Sequence, residues 1–485
     1  MGDRYFGHLE TENDKLLATF IEDFFFRFFK RKEKGVKDDP DDRRLELYTT
    51  SKCTSNCKYC YLHEHQNELY PEHCNNEVDI LKNLKSVMEY YVDNQFVCDL
   101  ELFGGEGITT GLTFKCLDII YDSLLTVERE YRPYRISLPE DCKFINSKEL
   151  TEKVQSYCDK FRKIGTILSI SASVDGALMD ENREKNDRGQ DFYDDLFRFL
   201  DKNYLAAHPM VSAINIEKWI DNFNWWWETS KRLNIFAADR LMMLEVRNDD
   251  WTDEKIQQYI HFLNYIIDFY WEDRYKNNPR EFAKRIAGKD NYPNKGYDNI
   301  ALRYRTLKDG RFTELTCGLP NILSIRLGDM AIVPCHRTAY DKFVGGYFTT
   351  DENNKINGIK SNNVGVYISC YNFSHNIAAK CYSCSIKHWC VGQCLGSCYE
   401  SNKELFLPIE SVCNLYIAKN IFLLMKYEDL GILDLIKEEL PPEASEVIDR
   451  QLKRTREVFT HYDQLFGDQI VFAKANGLPT TSLQL

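Results

Sequence analysis

At 485 residues, 43% of them hydrophobic and 28% charged, the chain has ordinary globular composition and room for two or three domains. A net charge of -13 argues against a broad nucleic-acid footprint, which shows as a basic face, and no run of about 18 apolar residues offers a membrane span. Its 17 cysteines, behind an opening MGDRYFGHLE that lacks the basic-then-apolar form of a secretion signal, point to a reducing, cytoplasmic setting where thiols bind metal or do chemistry.

Residues 1–43 read as an N-terminal helical extension, because Phe24, Phe25, Phe28 and Phe29 fall on one helical face. That face suits packing on the body of the protein; a membrane-surface or partner helix is the alternative. From Leu45 strands alternate with helices. Residues 45–48 read as a strand, and Leu81, Leu84, Val87, Met88 and Tyr91 then keep a helical stripe. Residues 99–103, 135–138 and 167–174 follow as strands, separated by helices over 112–125 and 150–161. Such alternation predicts parallel strands joined by right-handed crossovers, with chemistry gathered at the strands' carboxyl ends. Residues 217–310 read as largely helical with a tryptophan-rich core, and 273–298, carrying Pro279, Gly288 and Pro293, as a connector. Helices are predicted over 414–436 and 444–466, separated by Pro441-Pro442.

The first strand runs into Cys53, Cys57 and Cys60, spaced C-x3-C-x2-C. Three thiolates so close want a metal. A 4Fe-4S cluster takes four ligands, so three cysteines leave one iron open to a small molecule, whereas a structural zinc site would need its fourth ligand elsewhere. Gly104, Gly105 and Glu106 close the second strand. In these two turns, in this order, the sequence resembles the radical S-adenosylmethionine (SAM) superfamily. The resemblance implies that the open iron binds SAM, that Tyr59 lies against its adenine, and that Gly104, Gly105 and Glu106 hold its amino group. It further implies that Ser173, Arg183 and Asn215 help to hold SAM, the arginine through its two-pronged fit to a carboxylate. Read as plain structure, Asp175-Gly176 is an ordinary turn, Arg183 is solvated surface, and Glu245 with Arg247 forms a core ion pair.

Between Cys317 and Cys413 lie nine cysteines, densest as C-x2-C-x5-C-x3-C at Cys381, Cys384, Cys390 and Cys394. Zinc accepts such density, but the spacing resembles the SPASM extension of radical SAM enzymes, which holds two auxiliary 4Fe-4S clusters. That implies one cluster on Cys381, Cys384, Cys390 and Cys413, and another on Cys317, Cys335 and Cys394 with Cys370, Cys398 or an open iron as its fourth position. Gly328 precedes Cys335 by seven positions, so either the hairpin there is longer than in the family or this glycine is not its equivalent. Cys74, Cys98, Cys116, Cys142 and Cys158 are expected to be buried.

The architecture implied is α/β: a partial (β/α)6 barrel over 44–298, a SPASM domain over 299–424 and C-terminal helices over 425–485. The activity implied is reductive cleavage of SAM to a 5'-deoxyadenosyl radical and modification of a ribosomally made peptide, such as a crosslink. A formylglycine-forming sulfatase maturase is the alternative enzyme, and a zinc-stabilised binding protein the alternative of another class. Implied partners are a peptide or small protein substrate and an electron donor such as flavodoxin or ferredoxin. The 52 residues before Cys53 look too few for a leader-binding winged-helix module, which leaves that task to a separate protein. No residue is singled out as the catalytic acid or base.

Overall fold

The computed structural model describes residues 6–7, 9–33, 44–96, 98–183, 189–235, 241–288, 299–302, 304, 319–371, 381, 383–390 and 392–457. Among them the strands are β1 (Arg44–Thr50), β2 (Asp99–Gly104), β3 (Arg135–Glu140), β4 (Ile167–Ala172), β5 (Met210–Val211), β6 (Leu244–Glu245), β7 (Ile322–Arg326), β8 (Ala331–Val333), β9 (Gly346–Thr350) and β10 (Ile356–Ser361). The chain divides into two compact units: Met1–Val174, Met179–Leu205 and Cys317–Asn372 form the first, and Asp175–Leu178, Ala206–Thr316 and Phe373–Leu485 the second.

In the first unit β1 to β4 run parallel in sequence order, joined by helices that include Glu77–Asp93, Leu112–Leu125 and Lys148–Lys163. Side chains on both faces of β1 are buried, Leu45 and Leu47 on one and Glu46 and Tyr48 on the other, as a strand covered on both sides requires. Side-chain caps start two of the crossover helices: Asn76 accepts the N–H groups of Val78 and Asp79, and Ser147 that of Leu150. The sheet then continues past β1 in the other direction. Its order is β10-β9-β8-β7-β1-β2-β3-β4, with β7 parallel to β1 and the outer three antiparallel.

Residues 319–371 therefore pack with the first strands of the barrel, although the sequence assigned them to a following domain. Gly328 lies in the turn between β7 and β8, and β8 leads on to Cys335. Helix Glu12–Glu33 belongs to this unit too. It buries Leu17, Ala18, Ile21 and Phe24, sets Phe20 edge-on to Tyr371 at 4.9 Å, and accepts the Ser361 N–H on Asp14 at 2.6 Å. The side chains of Phe25, Phe28 and Phe29 lie outside the described residues.

The second unit holds the parallel pair β5 and β6 and the helices Trp219–Leu233, Asp253–Tyr270, Pro279–Ile286, Glu410–Asp429, Leu433–Glu439 and Pro442–Arg456. Trp219, Trp226 and Trp251 are core, as expected. Three readings are corrected here. The connector begins with a helix, because Pro279 sits in its first turn, where no backbone N–H is needed, and Phe282, Ala283 and Ile286 give it a buried face. The single helix over 414–436 is two, broken where Gly431 takes a left-handed φ of +68°. Glu245 pairs with Lys419 at 2.6 Å instead of Arg247, whose side chain bonds Tyr416. Residues 289–298 and 458–466 lie outside the described residues. Among the described residues no helix is long and apolar enough to cross a membrane.

Candidate cofactor site

The loop after β1 is fixed by its neighbours. Tyr70 donates its hydroxyl to the Thr49 carbonyl at 2.5 Å, and the Asn75 amide accepts from Thr50 Oγ1 at 2.7 Å and from the Ser51 N–H at 3.0 Å. The turn after β2 leans on the same loop: the Gly105 N–H donates to the Thr50 carbonyl at 2.6 Å and the Glu106 N–H to the Lys52 carbonyl at 2.9 Å. A Cβ on Gly105 would lie 2.0 Å from the Lys52 carbonyl oxygen, so only glycine permits this approach. Gly105→Ala is expected to cost about 1–3 kcal/mol through forced backbone movement, read as a lower thermal midpoint. An unchanged midpoint would mean that the two turns are not held together.

Cys53, Cys57, Cys60, Glu106, Ser173 and Arg183 all line one cavity of about 360 Å³, within the size range of small-molecule sites. Gly104 and Gly105 complete that wall. Arg183 is 8% exposed, with Nη1 at 3.8 Å from Cys57 Sγ and its guanidinium 5.4 Å from the Tyr59 ring centroid. Tyr59 thus stands beside Arg183 and is not one of the residues forming the cavity wall. Asn215 lies in the second unit, buried, with Trp219 Nε1 donating to its Oδ1 at 3.4 Å.

Two polar side chains of the cysteine loop tie it to acids on the neighbouring strand ends. Thr54 donates its hydroxyl to Glu106, which also accepts from Thr109 at 2.5 Å, and Lys143 donates to Thr54 Oγ1 at 3.1 Å. Ser55 donates to Asp141. Glu140 beside it is buried in the cavity wall, and burial, then the charges of Asp141 and Glu106, push its carboxyl well above the usual carboxylate range. The sequence reading missed Glu140 and Asp141. Their signal was available: two acids at the carboxyl end of a barrel strand.

Among the described residues three metal-ligating atoms come within 4.8 Å of one another at His73, Cys74 and Asp329. That group is already served, since Asp329 takes a two-pronged bond from Arg326 at 3.1 and 2.7 Å.

In the second unit Cys381, Cys384, Cys390 and Cys413 line a small cavity together with Ile386, Pro408 and Ile417. Gln393 donates from Nε2 to Cys413 Sγ at 3.2 Å and to the Ile409 carbonyl at 2.9 Å, while its Oε1 accepts the Ile409 N–H at 2.8 Å. Cys394 is half-buried at the start of helix Leu395–Asn402, and Cys398 within that helix is buried, its thiol pushed up to about 12 by burial. In the first unit Cys335 is half-buried, with Sγ at 3.3 Å from Thr338 Oγ1. Next to it His336 stacks on Phe103 of the cavity wall at 3.8 Å and bonds Glu46 of β1. Burial alone would raise the Glu46 carboxyl, but His336 and Arg44 outweigh it and hold it below the usual range. Cys370 is buried and donates its thiol to the Val366 carbonyl of its own helix at 3.4 Å. Cys74, Cys98, Cys116, Cys142 and Cys158 are buried, as expected, and Cys317 lies outside the described residues.

No family model matches the chain. The radical SAM cyclopropyl synthase TigE of Paramaledivibacter caminithermalis is 21% identical over 409 residues, covering 80% of this chain and 75% of that protein. Among solved structures, native anSMEcpe with bound AdoMet (SAM) aligns with a TM-score of 0.52 at 14% identity, over 82% of this chain and 99% of that one. Its hexahistidine-tagged form with bound AdoMet aligns with a TM-score of 0.51 at 14% identity, over 84% and 98%. At such identities these two structures speak for the fold.

Proposed function

We propose that the chain is a radical SAM enzyme of the SPASM type that modifies a peptide or small protein in the cytoplasm, joining residues by a crosslink. The observation that carries this reading is the single cavity shared by Cys53, Cys57, Cys60, Glu106, Ser173 and Arg183. When bound, a 4Fe-4S cluster and SAM supply one-electron cleavage of a carbon-sulfur bond and, through it, hydrogen abstraction from the substrate. Cys53, Cys57 and Cys60 would hold the cluster through their thiolates. Glu106, positioned by Thr54 and Thr109, would accept from the SAM amino group, and Arg183 would bond its carboxylate. Gly104 and Gly105 bring backbone close to the ligand, and Ser173 supplies a further polar contact. Tyr59, which stands beside Arg183, is assigned to the adenine. Electrons come from an external donor such as flavodoxin or ferredoxin.

The test is anaerobic: reconstituted protein with SAM and reductant forms deoxyadenosine, and tandem mass spectra of a candidate peptide encoded nearby then show two joined residues. One aldehyde residue in place of a joined pair would favour formylglycine formation, and no deoxyadenosine would sink the reading.

The cysteines that line one small cavity of the second unit support an auxiliary cluster on Cys381, Cys384, Cys390 and Cys413. Replacing Cys381 and Cys384 by alanine is expected to remove about four irons per chain while deoxyadenosine still forms, with peptide product falling at least about tenfold. Soluble yield and residual iron check that the unit stays folded. A folded variant that makes product at the parent rate would return these cysteines to a structural role.

A further inference from the structure

The side chain of Gln393 is built into the wall of the second-unit cavity that Cys381, Cys384, Cys390 and Cys413 line. It is buried, and both ends of its amide are engaged. Oε1 accepts the Ile409 N–H at 2.8 Å and the Cys398 thiol at 3.8 Å, while Nε2 donates to the Ile409 carbonyl at 2.9 Å and to Cys413 Sγ at 3.2 Å. This amide cannot be turned end for end, because the Ile409 N–H needs an oxygen opposite it. An N–H therefore faces the sulfur. Ile409 stands just before helix Glu410–Asp429, and its carbonyl also takes the Cys413 N–H at 3.0 Å, so glutamine and cysteine are fixed to one piece of backbone.

A thiol sulfur is a weak acceptor, whereas a metal-bound thiolate is anionic and holds an N–H firmly. The rest of the wall includes Lys387 and the apolar Ile386, Pro408 and Ile417, and in such surroundings a hydrogen bond counts for more than in water. We propose that Gln393 is a positioning residue for the auxiliary cluster and raises its reduction potential by donating an N–H to the Cys413 sulfur. The assignment rests on the cluster reading of these four cysteines. Its sign follows from charge. Reduction adds an electron and makes the sulfurs more negative, so a donor on one of them stabilises the reduced form more than the oxidised one. A raised potential suits a cluster that receives electrons.

The test is a redox titration of the reconstituted full-length protein followed by electron paramagnetic resonance. The step that vanishes when Cys381 and Cys384 are replaced by alanine belongs to this cluster. Gln393→Met keeps the length of the side chain and loses the donor; Gln393→Glu, in alkaline buffer, keeps an oxygen for the Ile409 N–H and has no N–H to give. Both should retain the parent's iron and move this step alone to lower potential. The reduced-to-oxidised ratio at the parent midpoint should fall about tenfold, which is about 59 mV for one electron. In the parent labelled with amide-¹⁵N glutamine, pulsed resonance should show a nitrogen coupling at this cluster that Gln393→Met lacks. Variants that keep iron and the parent midpoint overturn the assignment, even if they melt earlier, and leave Gln393 a strut for Ile409. Should both variants lose the cluster, the labelled parent decides: a nitrogen coupling supports the assignment and its absence overturns it. If replacing Cys381 and Cys384 removes neither iron nor a redox step, the cluster reading falls and the assignment with it.

Discussion

Replacing Cys53, Cys57 and Cys60 by alanine is expected to bring deoxyadenosine and modified peptide down to background together, a loss of at least about 10⁶-fold. The triple variant removes every thiol assigned to the SAM-binding cluster, so iron should fall by about four per chain. Folding should survive. The loop is pinned by Asn75, by the Gly105 and Glu106 backbone, by Ser55 on Asp141, and by the Lys58 N–H donating to the Asn182 carbonyl at 2.9 Å. None of these contacts uses a thiol. The measurements are chromatography of deoxyadenosine, iron and sulfide assay, and a thermal melt of the same preparation. A folded triple variant that still cleaves SAM would show that the radical arises elsewhere.

Arg326→Met is expected to destabilise the first unit by about 3–5 kcal/mol, the usual cost of breaking a buried ionic network from one side. Arg326 is 1% exposed at the end of β7. It donates to the carbonyls of Leu69 and Ala339 at 3.0 Å each, to Asp329 through two nitrogens, and to Asp341 at 3.0 Å. One guanidinium thus ties the β7–β8 turn to the helix that follows the cysteine loop and to the segment after Cys335. Its removal strands buried carbonyls and the Asp329 carboxylate at once. Arg326→Lys should recover only part of the loss, because a point charge cannot serve these directions together. Denaturant titration followed by circular dichroism reads both variants. A midpoint shift worth under about 1 kcal/mol for Arg326→Met would show the network to be ornamental.

Local signals were legible and distant ones were not. The alternation from β1 to β4 could be read because strand and helix periods differ within each segment. The cysteine loop was legible from spacing, and the acid and glycines after β2 from their place at a strand end. The pairing of β7 with β1 left no such trace: ILSIR is a short apolar run whose partner lies far back in the chain. Lys419 could not be matched to Glu245 for the same reason. Pro279 reads as a breaker in either a connector or a first helical turn, and only the buried face of Phe282 and Ile286 decides between them. Glu140 was visible as an acid at a strand end, but its burial among like charges is a tertiary fact.

The place of β7 also constrains how the protein is made. β1 is an inner strand, flanked by β2 on one side and β7 on the other. During synthesis β2 emerges soon after β1, while β7 follows only after the intervening helices and the second unit's first portion. Until then one edge of β1 offers unpaired backbone N–H and carbonyl groups to any other strand. Closing the sheet late across so long a stretch of chain is slow, because loop entropy is spent before the contacts form. A nascent chain stalled ahead of Ile322 would therefore carry the cysteine loop on an open-edged sheet.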